Sequence, residues 1–117
     1  MPLLTRLNLA AATSPDLAEA LIALDKEGWS ETGAKTRWMT GGYFRALYHN
    51  YANAYYQYLN GTLDEDQWLP HLREIVFIVE DVDHQAFWSE WKIVYDDPFR
   101  ELVDELIEGP TQAVLPK

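Results

Sequence analysis

Four tyrosines recur at helical spacing in the middle of the chain and are the first candidates for a functional site. They stand at successive steps of three, four and three residues, at Tyr48, Tyr51, Tyr55 and Tyr58. This spacing places them on one face of a helix. Each side chain combines an apolar ring with a hydroxyl that can hydrogen-bond, so the face can either fill a core or line a binding site.

Two tryptophans of a later helix would face these tyrosines and close a pocket between the second and fourth helices. Aromatic faces beside an acidic surface suit an organic cation, and the same walls suit an apolar ligand. An aromatic patch of this kind fits a partner helix or a second copy of the chain as well. The tyrosines could instead be core residues whose hydroxyls reach the rim. The candidate ligand or partner residues are Tyr48, Tyr51, Tyr55, Tyr58, Trp88 and Trp91.

The histidines do not form a metal-binding pattern. His71 and Glu74 lie three residues apart, and Asp81 and His84 repeat that spacing. Carboxylate-bridged two-metal bundles instead need Glu-x-x-His on two inward faces, with two further inward glutamates. We therefore predict no metal site, with His71 and His84 solvated and Asp81 and Asp83 serving as helix caps.

The carboxylates favour structural roles over acid–base catalysis. Catalysis by a carboxyl pair needs one acid in a hydrophobic pocket, whereas Asp64, Glu65 and Asp66 cluster at a helix start, where the helix dipole stabilises them. The chain has no glycine-rich phosphate loop and no nucleophile elbow. The sequence therefore favours a non-catalytic protein and predicts neither a catalytic residue nor a cofactor.

The first helix that would position these groups begins at Ser14-Pro15-Asp16. A hydroxyl cap, a proline at the first helical position and an acid in the first turn together mark a helix start. Gly28 marks its end. Its predicted apolar face consists of Leu17, Leu21, Ile22 and Leu24.

The second helix carries the tyrosines and is predicted to run from about residue 30 to residue 60, with Ser30 as its cap. Unbroken, it would be about 45 Å long at roughly 1.5 Å per residue. Gly41-Gly42 costs about 2 kcal/mol relative to alanine, so the helix could kink there, or the glycines could admit a bulky ring from a neighbouring helix. We favour a continuous or mildly kinked helix. Its predicted buried side consists of Ala34, Trp38, Phe44, Leu47, Tyr48, Tyr51, Tyr55 and Tyr58.

Three shorter helices follow. Asp64 and Gln67 form a capping box for the third, Asp83 would cap the fourth, and Asp97-Pro98 would start the fifth, which Gly109-Pro110 ends. The predicted inward residues of the third helix are Trp68, Leu72, Ile75, Val76 and Val79. Those of the fourth are Phe87, Trp88, Trp91, Val94 and Tyr95. Those of the fifth are Phe99, Leu102, Val103, Leu106 and Ile107.

These patterns predict an all-α protein, an antiparallel bundle of four to five helices. No alternating apolar run or hairpin dipeptide indicates a strand, and short loops force neighbouring helices to run antiparallel. The predicted organisation is an arm or short helix at 1–13, one bundle domain at 14–109 and a mobile tail at 110–117. A chain of 117 residues is large enough to bury one core without disulfides.

The charge distribution limits the classes of partner. The net charge is −10, and residues 63–109 hold fourteen acids against three bases. Such a surface repels phosphate backbones and anionic membranes, so nucleic-acid binding is not expected. No stretch reaches the roughly 20 apolar residues of a membrane span. We expect a soluble, cytoplasmic protein, although the absence of cysteine leaves the compartment open.

The chain resembles a family of uncharacterised bacterial helical proteins. The similarity lies in SPDLAEALI, YHNYANAYYQYLNGTLDEDQW and FWSEWKIVYDDPFRELVDEL, and it spans roughly residues 14–108. The resemblance implies a shared fold and core and no particular activity. Relatives often carry an N-terminal transmembrane helix, and their pattern often has an acid where this chain has Ala52.

Two functions follow from these observations. The first is a non-catalytic helical interaction or sensory domain that binds a partner protein or forms a homodimer. The second is a small-molecule binding protein or enzyme with an aromatic pocket between helices two and four. The directions of the tyrosine hydroxyls would separate the two.

Overall fold

The computed structural model describes residues 14–109, and the predicted arm at 1–13 and tail at 110–117 lie outside the described residues. Within 14–109 the protein is all-α, as predicted. Its helices are α1 (Pro15–Glu27), α2 (Ala34–Leu59), α3 (Glu65–Ile78), α4 (Val82–Trp91) and α5 (Asp97–Glu108), with a 3₁₀ turn at Lys92–Val94 after α4.

Short-range capping explains where most helices begin and end. The Ser14 hydroxyl accepts the backbone N–H of Leu17 at 3.2 Å ahead of Pro15. The Asp64 carboxylate accepts the N–H of Gln67 at 2.8 Å, and the Gln67 side chain accepts the N–H of Asp64 at 3.0 Å, which is the predicted capping box. Gly28 ends α1 with φ +82°, a left-handed conformation that glycine adopts without strain.

Three predicted caps are wrong. The cap of α2 is Gly33, three residues after Ser30. Asp81 caps α4, because its carboxylate accepts the N–H of Asp83 at 2.7 Å. The Asp83 carboxylate instead accepts the backbone N–H of Trp29. Asp96 occupies the cap position of α5, one residue before the predicted Asp97.

Helix α2 is the central element of the bundle. It continues unbroken through Gly41-Gly42, and its 26 residues would span about 39 Å at roughly 1.5 Å per residue. The longest extent of the molecule is 40 Å, so α2 crosses the whole length without protruding. Gly41 admits a bulky ring, but the ring comes from a loop and not from the neighbouring helix that the sequence suggested. The ring is that of Trp29 in the α1–α2 loop, 3.3 Å from where a Cβ would stand.

The core is an aromatic cluster packed around α2. The apolar faces of α3 and α5 are largely as predicted, with Trp68, Leu72, Ile75, Phe99 and Val103 buried. Several residues predicted to face inward are exposed instead. These are Ala34, Trp38, Ile22 and Val94.

Candidate functional site

Two of the four tyrosines are fully inside the core. Tyr48 and Tyr51 have 0% and 1% of their surface exposed. Tyr48 stacks on Trp88 at 5.5 Å between ring centroids, and its hydroxyl lies 3.1 Å from Nδ1 of His84. The Tyr51 hydroxyl donates to the Glu74 carboxylate at 3.0 Å. Neighbouring side chains therefore fill the space around both rings.

The other two tyrosines, Tyr55 and Tyr58, lie near the C-terminal end of α2 and are partly buried. Tyr58 stacks on Trp68 with ring centroids 5.6 Å apart, and Tyr55 packs at 5.1 Å from the same tryptophan. Burial raises the pKa of Tyr55, and the nearby Tyr58 adds to that shift. These contacts give Tyr55 and Tyr58 a packing role at the α2–α3 junction.

The expectation that His84 and Asp83 are a solvated residue and a cap is wrong, because both side chains are buried. His84 is 1% exposed and stacks on Phe44 at 4.2 Å. The Asp83 carboxylate accepts the backbone N–H of Trp29 at 2.9 Å. Burial raises the pKa of the Asp83 carboxyl; the hydrogen bond from Trp29 opposes that shift. Asp83 therefore fixes the loop that carries Trp29.

Trp29 is pinned in place by contacts on several sides. Its ring stacks on Phe44 at 6.2 Å and meets the edge of Phe87 at 5.8 Å. Its indole Nε1 donates to the Glu90 carboxylate. Together with the hydrogen bond from its backbone N–H to Asp83, these contacts hold Trp29 in place between the start of α2 and the end of α4.

Two arginines of α2 lie against two tryptophans, Arg37 against Trp29 and Arg45 against Trp91. Arg37 donates to the carbonyls of Trp29 and Ser30 at 2.8 and 3.1 Å, and its guanidinium lies 5.7 Å from the Trp29 ring centroid. The Arg45 guanidinium lies 4.7 Å from the centroid of Trp91, within the range of a cation–π contact. Among residues 14–109 no hydrogen bond or ion pair engages the Arg45 guanidinium.

Together these groups line an open recess of about 220 Å³, which we call the tryptophan groove. Gly41 and Gly42 of α2 are part of its lining. Trp38 stands at its rim with 75% of its surface exposed. The groove is lined by Trp29, Ala34, Arg37, Trp38, Gly41, Gly42, Arg45, Glu90 and Trp91.

The structure thus separates the six candidate residues predicted from sequence. Tyr48, Tyr51 and Trp88 share one buried cluster, Tyr55 and Tyr58 pack near α3, and Trp91 lines the groove. Among the other groove residues, sequence reasoning placed Trp38 and Ala34 on a buried face and Gly41-Gly42 at a kink or a ring contact, and it assigned none of them to a binding site. The burial of His84 could have been predicted from the sequence, because His84 shares the helical spacing of Phe87, Trp88 and Trp91.

The described part of the chain contains no group of three His, Asp or Glu side chains arranged to hold a metal ion. Nor does any helix between residues 14 and 109 have the length and apolar content to cross a membrane. Comparisons with protein-family models, with curated proteins and with solved structures find no match to this chain.

Proposed function

We propose that this protein is a non-catalytic interaction domain that forms a homodimer through the tryptophan groove. One observation carries the proposal: an exposed tryptophan ring stands beside an unfilled aromatic recess of about 220 Å³. Tryptophan and arginine dominate the energetic centres of protein interfaces, and the groove holds three of the former and two of the latter.

The size of the recess favours a protein side chain over a drug-sized ligand. Small-molecule pockets usually have about 300–1,000 Å³, and this groove is smaller. A cavity of about 150 Å³ already holds a benzene ring. The groove therefore has room for one aromatic side chain, which is how an interface anchor binds.

The occupant we propose is Trp38 of a second copy, because this surface is complementary to itself. It offers a protruding ring and a recess, and it carries the cations Arg37 and Arg45 together with the anion Glu90. In a two-fold symmetric dimer the same patch meets itself, so each feature finds its complement in the other copy. Ile93 and Val94, two and three residues after Trp91, are exposed and would extend the contact toward the roughly 800 Å² per partner of a stable interface.

The test is the mass of the protein in solution as its concentration rises, followed by sedimentation velocity. Trp38→Glu should remain monomeric, since it removes the anchoring ring and adds a charge. Val82→Glu is the matched control, because Val82 is 74% exposed, close to the 75% of Trp38, and does not line the groove. It should associate like the wild type. A wild type that stays monomeric throughout, or equal association by wild type and Trp38→Glu, would contradict the proposal.

Two further expectations from the sequence remain proposals. One is membership of the bacterial helical family that the chain resembles, and the other is a cytoplasmic location. Expression of a fluorescent fusion in a bacterial cell tests the location, with diffuse signal expected and membrane-associated signal against it.

A further inference from the structure

The charges in the tryptophan groove favour an anionic occupant. An organic cation would bind over an open aromatic face, but two of the three tryptophan faces already carry guanidinium groups. Arg37 lies over Trp29 and Arg45 over Trp91. A cationic ligand would therefore meet two like charges. A carboxylate would meet two opposite charges and one like charge, Glu90, whose carboxylate already accepts the indole N–H of Trp29.

The two arginines differ in what they can still bind. One terminal nitrogen of Arg37 already donates to two backbone carbonyls. Arg45 makes no side-chain hydrogen bond within residues 14–109, while its guanidinium lies 4.7 Å from the ring centroid of Trp91. A planar guanidinium held in this way can grip a carboxylate through two parallel hydrogen bonds.

The Arg45 guanidinium lies next to open space that is large enough for one aromatic ring system. A Cβ added at Gly42 would meet only the terminal nitrogen of Arg45, at 4.0 Å. The space above Gly42 is thus open and adjacent to the guanidinium. A recess of about 220 Å³ exceeds the roughly 150 Å³ that holds benzene.

From these observations we propose that the groove binds a small aromatic carboxylate, with its ring beside Trp38 and Trp91 and its carboxylate on Arg45. Such a ligand presents a ring and a carboxylate, the same two groups that Trp38 and Glu90 of a second copy would present. The ligand therefore competes with self-association. That second statement rests on the proposed dimer, whereas ligand binding by a single copy does not.

The probes are indole-3-acetate and tryptamine, which share an indole ring and carry opposite charges. Binding to ¹⁵N-labelled protein is followed through the five tryptophan indole N–H signals at a concentration where the chain is monomeric. The signals of Trp29, Trp38 and Trp91 should shift, and those of the core residues Trp68 and Trp88 should not. Indole-3-acetate should bind about tenfold or more tightly than tryptamine, since a hydrogen bond to a charged group is worth at least one such factor.

Two variants assign the preference to this site. Arg45→Gln should reduce affinity for indole-3-acetate about tenfold and leave tryptamine unchanged or improved. Gly42→Leu should fill the groove and abolish binding of both probes without lowering the melting temperature. Equal affinity for the two probes, preference for tryptamine, shifts at Trp68 or Trp88 alone, or full binding by Arg45→Gln would each overturn the proposal.

The competing role in assembly has its own readout. In sedimentation experiments saturating indole-3-acetate should shift the wild type toward monomer, and tryptamine should not. Binding without any dimer in the absence of ligand would overturn the proposed function and leave the ligand site standing. A dimer that indole-3-acetate neither binds nor dissociates would overturn the ligand site and leave the dimer standing.

Discussion

Asp83→Ala should destabilise the protein because it removes the acceptor that holds the backbone of Trp29. The Asp83 carboxylate accepts the Trp29 N–H at 2.9 Å, and both residues are buried. Leaving a buried donor without a partner costs about 1–3 kcal/mol. We expect the free energy of unfolding to fall by about that amount, partly offset by relief of the buried charge.

Asp83→Asn separates the hydrogen bond from the charge. The amide oxygen can still accept the Trp29 N–H, and the desolvation of an ionised carboxylate disappears. Repulsion from Asp81 and Asp25, which also raises the pKa of Asp83, disappears with it. We therefore expect Asp83→Asn to be at least as stable as the wild type at pH 7 and clearly more stable than Asp83→Ala.

The pH dependence gives this prediction a definite sign. The pKa of Asp83 is raised above its ordinary value of 3.8 in the folded protein. Its contribution to stability is therefore fully present below about pH 3.8 and is lost as pH rises through the raised value. The wild type should lose stability relative to Asp83→Asn over that interval.

Urea unfolding followed by circular dichroism between pH 3.5 and pH 7 measures all three proteins. Asp66→Asn, at an exposed position in the first turn of α3, is the control and should change stability by no more than about 0.5 kcal/mol at pH 7. The reasoning is refuted if Asp83→Ala and Asp83→Asn unfold together. It is equally refuted if the wild type gains on Asp83→Asn as pH rises.

Two further predictions concern the glycine pair and a buried phenol. Gly42→Ala should stabilise the protein by about 1 kcal/mol, as in an ordinary helix interior. Gly41→Ala should leave stability unchanged or lower it, because its Cβ would lie 3.3 Å from the Trp29 ring. Thermal melts compare the two variants, and equal melting temperatures would contradict this prediction. Burial raises the pKa of Tyr95 to about 12 against an opposing effect of Arg45. The contribution of Tyr95 to stability should therefore be fully present below about pH 10 and fall as pH rises toward 12. The free energy of unfolding should fall less steeply over this interval in Tyr95→Phe, and identical alkaline unfolding curves for the two proteins would contradict this prediction.

The all-α fold was predictable from periodicity, and the starts of α1 and α3 were predictable to the residue because they depend on local signals. Ser14-Pro15 and the pair Asp64 and Gln67 mark helix starts through hydrogen bonds that span only three residues. The apolar faces of α3 and α5 follow from periodicity alone. Such signals need no knowledge of the neighbouring helices.

The groove was not predictable because its parts meet only through tertiary contacts. Asp83 reaches across 54 positions of the chain to the N–H of Trp29, and no local pattern in the sequence marks that pairing. Trp38 has the spacing of a buried residue but lies near the start of the long α2, where the ten-residue α4 does not cover it. Periodicity identifies a face of a helix and does not say how far the neighbouring helices extend along it.

The most direct test of the central claim is an isotope-filtered NMR measurement on a mixture of ¹⁵N-labelled and ¹³C-labelled chains at high concentration. This experiment reports only contacts between two copies. The account predicts intermolecular contacts from the Trp38 ring to Trp91 and the side chain of Arg45, and their loss in Trp38→Glu. Intermolecular contacts confined to other surfaces, such as those around the exposed Val82 or around Phe77 of α3, which is 52% exposed, would contradict it. A sample with no intermolecular contacts at all would also contradict it.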